Sequence, residues 1–204
     1  MGGFRYPKNH YKHLLNSIYD KDGDRCFRIG ISFGNKDGET YLVIGRNPYR
    51  VQDGQCNKVT KRIFKYFKLK ICPEEKVREL IMVNLFVEHD LNSDMINRKL
   101  DKDYKHYIVG NRGVVGQGDI TIRNDEVIKN AIRESQKIIL AWGEPIKGME
   151  TLYNERIESV LKILRECILE AKEEKKVFVV GEMSLRGYPR HPLSWSFRDN
   201  LNEY

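Results

Sequence analysis

Four short apolar runs punctuate the chain: Tyr41 to Ile44, Leu80 to Val83, Ile138 to Ala141 and Val177 to Val180. None alternates with polar residues, and continuous runs of this length suit parallel strands covered on both faces by helices. Helical periods fall between them. Val59, Ile63 and Phe67 recur at four-residue spacing, while Ile157, Val160, Leu161, Leu164, Ile168 and Ala171 form one stripe of a longer helix. A further helix is expected to begin at Asn124, which suits a capping position, and to continue through Val127, Ile128 and Ile132. Upstream, Arg28 to Phe33 alternates like a half-buried edge strand or hairpin arm, and Asp37-Gly38 is a strong hairpin dipeptide. The predicted architecture is α/β in three layers, α/β/α, around a central, mainly parallel four-stranded sheet with an N-terminal β-hairpin.

Ligands of an open parallel sheet bind in the crevice outside the carboxyl ends of its strands. Right-handed crossovers bring the ends of all four runs to one rim. The first run leads into Gly45-Arg46-Asn47-Pro48-Tyr49, the second into Asn84, the third into Trp142-Gly143-Glu144. The fourth leads to Arg190-His191-Pro192-Leu193-Ser194. Glycine admits close backbone approach and proline fixes a turn, so the first loop presents the Asn47 amide and the Tyr49 ring; Asn47-Pro48 is by itself also a common turn initiator. Asn84 interrupts an apolar stretch, where an amide is costly unless satisfied. Because it both donates and accepts, it can read the edge of a nucleobase, or simply bond neighbouring backbone. His191 can donate to a carbonyl oxygen that gains negative charge. Arg186, Arg190 and Ser194 are placed to hold phosphates.

The net charge of +7 favours an anionic partner such as nucleic acid, or else serves solubility. Lys58, Lys61, Arg62, Lys65 and Lys68 share one helical face directly after the Asn47 loop, which suits phosphate tracking and equally a solvated face. Cys26, Cys56, Cys72 and Cys167 follow no metal-binding spacing and read as reduced thiols of a cytoplasmic protein. His10 and His13 offer two ligands on a presumed helix and no more. The glycine-rich stretch Gly110 to Asp119 reads as a mobile loop near the cleft rather than a nucleotide fingerprint. No signal-peptide core or membrane span is found, and nothing divides residues 1–204 into more than one domain.

Together these motifs resemble the uracil-DNA glycosylase superfamily. Gly45 to Tyr49 match its strand-end Gly-x-Asn-Pro or Gly-x-Asp-Pro-Tyr motif, and Asn84 its base-binding asparagine. Trp142-Gly143 match its third strand end, and His191-Pro192-Leu193-Ser194 a shortened form of its terminal loop. The chain is more closely similar to a bacterial and phage family catalogued only as a domain of unknown function. That family shares the Asn-Pro loop, Asn-Leu-Phe, Asn124-Asp125, Ala-Trp-Gly and Gly-x-Pro-Arg-His-Pro-Leu.

The first resemblance implies a glycosylase-like fold and a monomeric DNA N-glycosylase acting without metal or organic cofactor on single- or double-stranded DNA. It implies that Asn47 orients water and His191 stabilises the departing base, with Asp53 as an alternative base for the water. Gly45, Tyr49, Asn84 and Trp142 would hold the base. Arg46, Arg50, Arg186 and Arg190, with the cationic helix and Ser194, would grip the strand. With Asn47 where some members carry Asp, a modified pyrimidine, including a hypermodified phage base, is the extended substrate. Two alternatives stand beside this one: an enzyme of free nucleosides or nucleotides in the same cleft, and a non-catalytic nucleic-acid-binding module.

Overall fold

A computed structural model describes residues 13–49, 58–89, 91, 102–116 and 120–204 of the chain. In order these form β1 (His13–Tyr19), β2 (Cys26–Ser32), β3 (Glu39–Gly45), α1 (Lys58–Tyr66) with a π-helical turn (Phe67–Ile71), and β4 (Val77–Asn84). There follow α2 (Lys102–Val109), β5 (Val114–Val115), β6 (Thr121–Ile122), α3 (Asn124–Glu134), β7 (Lys137–Ala141), α4 (Glu150–Glu170), β8 (Lys176–Val180), a 3-10 turn (Pro192–Ser194) and β9 (Leu201–Glu203).

The result is a mixed α/β structure whose main sheet has seven strands in the order β1-β2-β4-β3-β7-β8-β9. The four apolar runs supply its centre, and β4, β3, β7 and β8 are mutually parallel. The apolar runs of β3, β4 and β7 are buried on both faces because helices cover each, whereas in β8 only Val179 and Val180 are fully buried. On one side Leu42, Ile44, Ile81, Val83, Ile138 and Leu140 pack with Val127, Ile128, Ala131 and Ile132 of α3 and with Val160 and Leu164 of α4. On the other side Tyr41, Val43, Leu80, Met82, Ile139 and Ala141 pack with Ile63, Phe64, Tyr66 and Phe67.

A central four-stranded sheet with a hairpin arm at Arg28 to Phe33 was expected; that arm is β2, and the three strands outside the central four are antiparallel to their neighbours: β1 on β2, β2 on β4, and β9 on β8. The predicted Asn35–Gly38 turn exists, closed by Gly38 N donating to Asn35 O at 3.1 Å. It does not make a hairpin, because β4 enters between the strands it joins: Phe33 N donates to Arg78 O and Glu39 N to Lys76 O, both at 2.9 Å. The N-terminal hairpin is instead β1–β2. β2 read as half-exposed because of Arg28, which is in fact buried, held at 2.7 and 2.9 Å by Glu134 and at 3.5 Å by Glu79. His13 begins a strand, not a helix, and His10 lies outside the described residues.

Two helix expectations are also corrected. Asn124 does not cap α3; Asn111 Oδ1 accepts from Asp125 N at 2.9 Å, while Asn124 turns its amide inward. In α4 the buried line runs Tyr153, Arg156, Val160, Leu164 and Cys167. A hydrophobicity pattern skips Arg156, whose charge is buried only because Asp125 pairs with it. The described part of the Gly110 loop, residues 110–116, lies by the β1–β2 turn, where Lys21 N donates to Val115 O at 3.0 Å, and does not line the cleft described below.

A methyl group at Gly38 would stand 2.6 Å from both Arg78 N and Lys76 O, which are backbone atoms of the entering strand. Gly38→Ala is therefore expected to destabilise the fold by about 1–3 kcal/mol, as overpacking does. Urea denaturation checks this; an unchanged midpoint would contradict the split-hairpin geometry.

Candidate functional site

The chain leaves β3 towards α1 on one face of the sheet and leaves β7 towards α4 on the other. A crevice opens where neighbouring connections diverge in this way. It is lined by Gly45, Arg46, Asn47 and Tyr49 after β3, Asn84 at the end of β4, Thr60 and Ile63 of α1, and His191 and Pro192 from the loop after β8. Ile29, Val43 and Met82 supply apolar wall. The cavity is small, about 40 Å³. That volume suits ordered waters or a thin, flat group rather than a bulky one.

Gly45 and Asn84 are partners in register on adjacent parallel strands. A Cβ at position 45 would stand 2.6 Å from Asn84 Oδ1, so only glycine leaves room for that amide. Beyond the strands the two segments stay zipped, Leu85 N donating to Gly45 O and Phe86 N to Arg46 O at 2.9 Å. From the other side Asn124 Nδ2 donates to the carbonyls of Asn84 and Leu85 at 3.2 and 3.3 Å, and Arg156 Nε to Leu85 O at 2.8 Å. The backbone under Asn84 is thus fixed, while its carboxamide has no hydrogen-bond partner among the described residues.

Asn47 is buried and held at both ends of its amide. Its Oδ1 accepts from Arg46 Nε at 3.1 Å and its Nδ2 donates to Pro48 O at 3.0 Å. One N–H and one lone pair remain for a ligand. Arg46 Nη2 also donates to Tyr49 Oη at 3.0 Å. The Tyr49 ring meets His191 edge-on at 6.4 Å between centroids.

His191 sits against Gly143, whose φ of 72° and missing side chain let the loop close; a Cβ there would be 2.7 Å from His191 Cβ. Its carbonyl accepts from Ser194 N at 2.9 Å and Ser194 Oγ at 2.8 Å. Its Nδ1 accepts from Leu193 N at 3.4 Å, which assigns the ring proton of the neutral form to Nε2. Burial, and secondarily the Arg46 charge, push the imidazole down to about 4, so it is neutral at pH 7.

Of the expected site residues, Gly45, Arg46, Asn47, Tyr49, Asn84 and His191 meet in this cleft. Trp142 does not. Its ring lies in the core on the α4 side, and its carbonyl accepts from Tyr153 Oη at 2.8 Å, so only Gly143 serves the site. Ser194 turns its hydroxyl onto the His191 carbonyl instead of outward. Arg190 pairs with Asp199 at 3.2 Å and Arg186 with Glu144 at 3.3 Å. On α1, Arg62 donates to Trp195 O at 3.0 Å and Lys65 lies 4.7 Å over the Phe197 ring, both securing the C-terminal segment. Lys58 and Lys61 remain exposed. Arg50 and Asp53 lie outside the described residues. The reading missed Thr60 and Met82 in the lining and Arg156 behind it. Among the described residues no group of three or more His, Cys, Asp or Glu is placed to hold a metal ion, and no helix is long and apolar enough to cross a membrane.

The state of His191 has a measurable consequence. Between about pH 6.5 and pH 4 the unfolded chain takes up a proton here that the folded chain refuses. The stability owed to the neutral ring is complete above that window and is lost as pH falls through it. His191→Gln is therefore expected to flatten the acid limb of the urea midpoint plotted against pH; parallel limbs would count against a buried neutral imidazole.

No curated protein and no solved structure matches the chain. A family model does, across residues 32–193, a span that includes Gly45 to Tyr49, Asn84 and His191. The chain belongs to the family described as "Protein of unknown function (DUF1643)".

Proposed function

We propose that the chain is a monofunctional DNA glycosylase, taking a pyrimidine flipped out of DNA into this cleft and hydrolysing its N-glycosidic bond. In this reading residues 1–204 form one three-layer α/β/α domain of the glycosylase kind. The observation that carries it is the convergence of Asn47, Asn84 and His191, from widely separated stretches, on one narrow cleft. The Asn84 carboxamide, without a hydrogen-bond partner among the described residues, would donate to and accept from the edge of the base. Neutral His191 would donate its Nε2 proton to a ring carbonyl as negative charge gathers there, without competing charge of its own. Asn47, with one N–H and one lone pair to spare, would orient water at the sugar C1′. The C1′–N bond breaks with its electron pair on the base, the water oxygen bonds to C1′, and one proton is released. An amide cannot take that proton; Asp53 is the carboxylate proposed as the alternative. Tyr49 would wall the ring, and the few kcal/mol spent on flipping would be offset by base and phosphate contacts.

Oligonucleotides bearing uracil, thymine or modified pyrimidines, single- or double-stranded, are incubated with the protein and cleaved at abasic sites with alkali. Scission at one base is expected, falling about 10²–10³-fold in His191→Ala, the loss typical of one donor to a developing anion. Intact strands across the whole panel would refute the proposal.

A second reading, an enzyme of free nucleosides or nucleotides, is favoured by one observation: Arg62, Lys65, Arg186 and Arg190 are engaged inside the chain, which shortens the cationic track. Lys58→Glu with Lys61→Glu separates the two. A DNA enzyme should bind oligonucleotide more weakly, its log–log salt slope falling by about 0.9 per lost phosphate contact. A nucleoside enzyme should keep its turnover.

A further inference from the structure

Two polar side chains of α4 reach the ends of two different strands, and neither lines the cleft itself. Tyr153 shares its single hydroxyl proton between the carbonyls of Trp142, at 2.8 Å, and Gly143, at 3.0 Å, where the chain leaves β7. One turn on, Arg156 Nε donates at 2.8 Å to the carbonyl of Leu85, where the chain leaves β4. Gly143 is the residue against which His191 closes, and Leu85 directly follows Asn84. The helix therefore addresses both halves of the recognition pair from behind.

Stability does not account for these groups. The buried stripe of α4 continues as Val160, Leu164 and Cys167, and a buried ion pair such as Arg156 with Asp125 is often no more stabilising than apolar residues of the same volume. The arrangement also leaves Arg156 Nη2 and Asn124 Oδ1 buried with no hydrogen-bond partner among the described residues. Nor does Leu85 O need the guanidinium for satisfaction, since Asn124 Nδ2 already donates to it at 3.3 Å. The second donor adds direction: held from two helices, the peptide after Asn84 keeps one orientation. Tyr153 spans the gap between the two halves, its ring 5.9 Å from that of Phe86, beyond Asn84, and 6.3 Å from that of Tyr188, ahead of His191. A helix rises about 1.5 Å per residue, so the two donors stand about 4.5 Å apart along one stiff axis.

We propose that Tyr153 and Arg156 are positioning residues: from one helix they fix the separation between Asn84 and His191, and with it the span a heterocycle must fit. This rests on the glycosylase reading above and goes behind the residues that would touch the base. Both side chains act through backbone carbonyls, Tyr153 through Gly143 on His191 and Arg156 through Leu85 on Asn84.

Mutant cycles on the full chain test this, with kcat/KM for the oligonucleotide that wild type cuts best, measured well below each variant's thermal midpoint. Tyr153→Phe removes only the hydroxyl and keeps the ring contacts. Arg156→Met combined with Asp125→Asn removes the ion pair without leaving a lone charge. Each change is expected to lower kcat/KM by about 10–10²-fold, the range of a displacement of about 1 Å. After His191→Ala the Tyr153 change should cost less than about twofold, and after Asn84→Ala the Arg156 change likewise, because coupled residues are not additive. In the crossed combinations each change should keep its full effect. A merely structural role lowers the folded fraction alike in every background. Losses that multiply equally in matched and crossed combinations would therefore overturn the proposal, as would wild-type kcat/KM in Tyr153→Phe. Should the Arg156 variant not fold, the Tyr153 cycle decides alone. If wild type cuts no oligonucleotide, the glycosylase reading fails and this inference falls with it.

Discussion

One peptide-wide gap organises the site: Gly45 and Asn84 lie abreast on parallel strands, and the glycine's missing side chain is the space the asparagine occupies. Everything else in the cleft is placed relative to that contact. The two strand extensions stay bonded past it, so the Arg46 backbone is carried along with Phe86. Arg46 in turn holds Asn47 and Tyr49. On the far side, Asn124 and Arg156 grip the Asn84 and Leu85 carbonyls from α3 and α4. A side-chain amide alone in an apolar stretch is normally a liability. Here the backbone is fully engaged and the side chain is left available, which is the arrangement a recognition group needs.

Charge is distributed with equal economy. Most of the arginines expected at the surface for nucleic acid have partners within the chain, and they strap the segment after β8 onto the sheet and α1. That segment delivers His191, so the same cations act on the site through its scaffold rather than through a ligand. Surface ion pairs of this sort contribute little stability individually, and their value lies in fixing the course of a loop. Within the cleft the pattern reverses, with one guanidinium that has no carboxylate partner among the described residues and an imidazole kept neutral by burial and by that charge.

Much of this was legible in the sequence. The four continuous apolar runs announced the parallel centre, and their polar followers announced the rim on which Asn47, Asn84 and His191 meet. What was not legible depends on partners distant along the chain. Arg28 hides its charge against a residue 106 positions away, so β2 mimicked an exposed edge. Arg156 is buried where an apolar residue was expected, because Asp125 and a carbonyl receive it. Trp142 had the composition of a base-stacking residue, but its side of the strand faces α4. Local pattern specifies which residues stand at a strand end. It does not specify to which face each one turns, nor which cations are already answered.

The entry of β4 between β2 and β3 also constrains the order of events in folding. A ribosome releases β1, β2 and β3 before β4, and until β4 arrives the facing edges of β2 and β3 have no neighbour with which to complete their ladders. Unsatisfied edges are the usual route to aggregation, and closure over such a separation slows the search for the native state. The strand that ends that exposure is the one that bears Asn84, so its amide reaches its place beside Gly45 in the step that joins β2 to β3. Nascent chains therefore join the inner edges of β2 and β3 in the step that brings Asn84 abreast of Gly45.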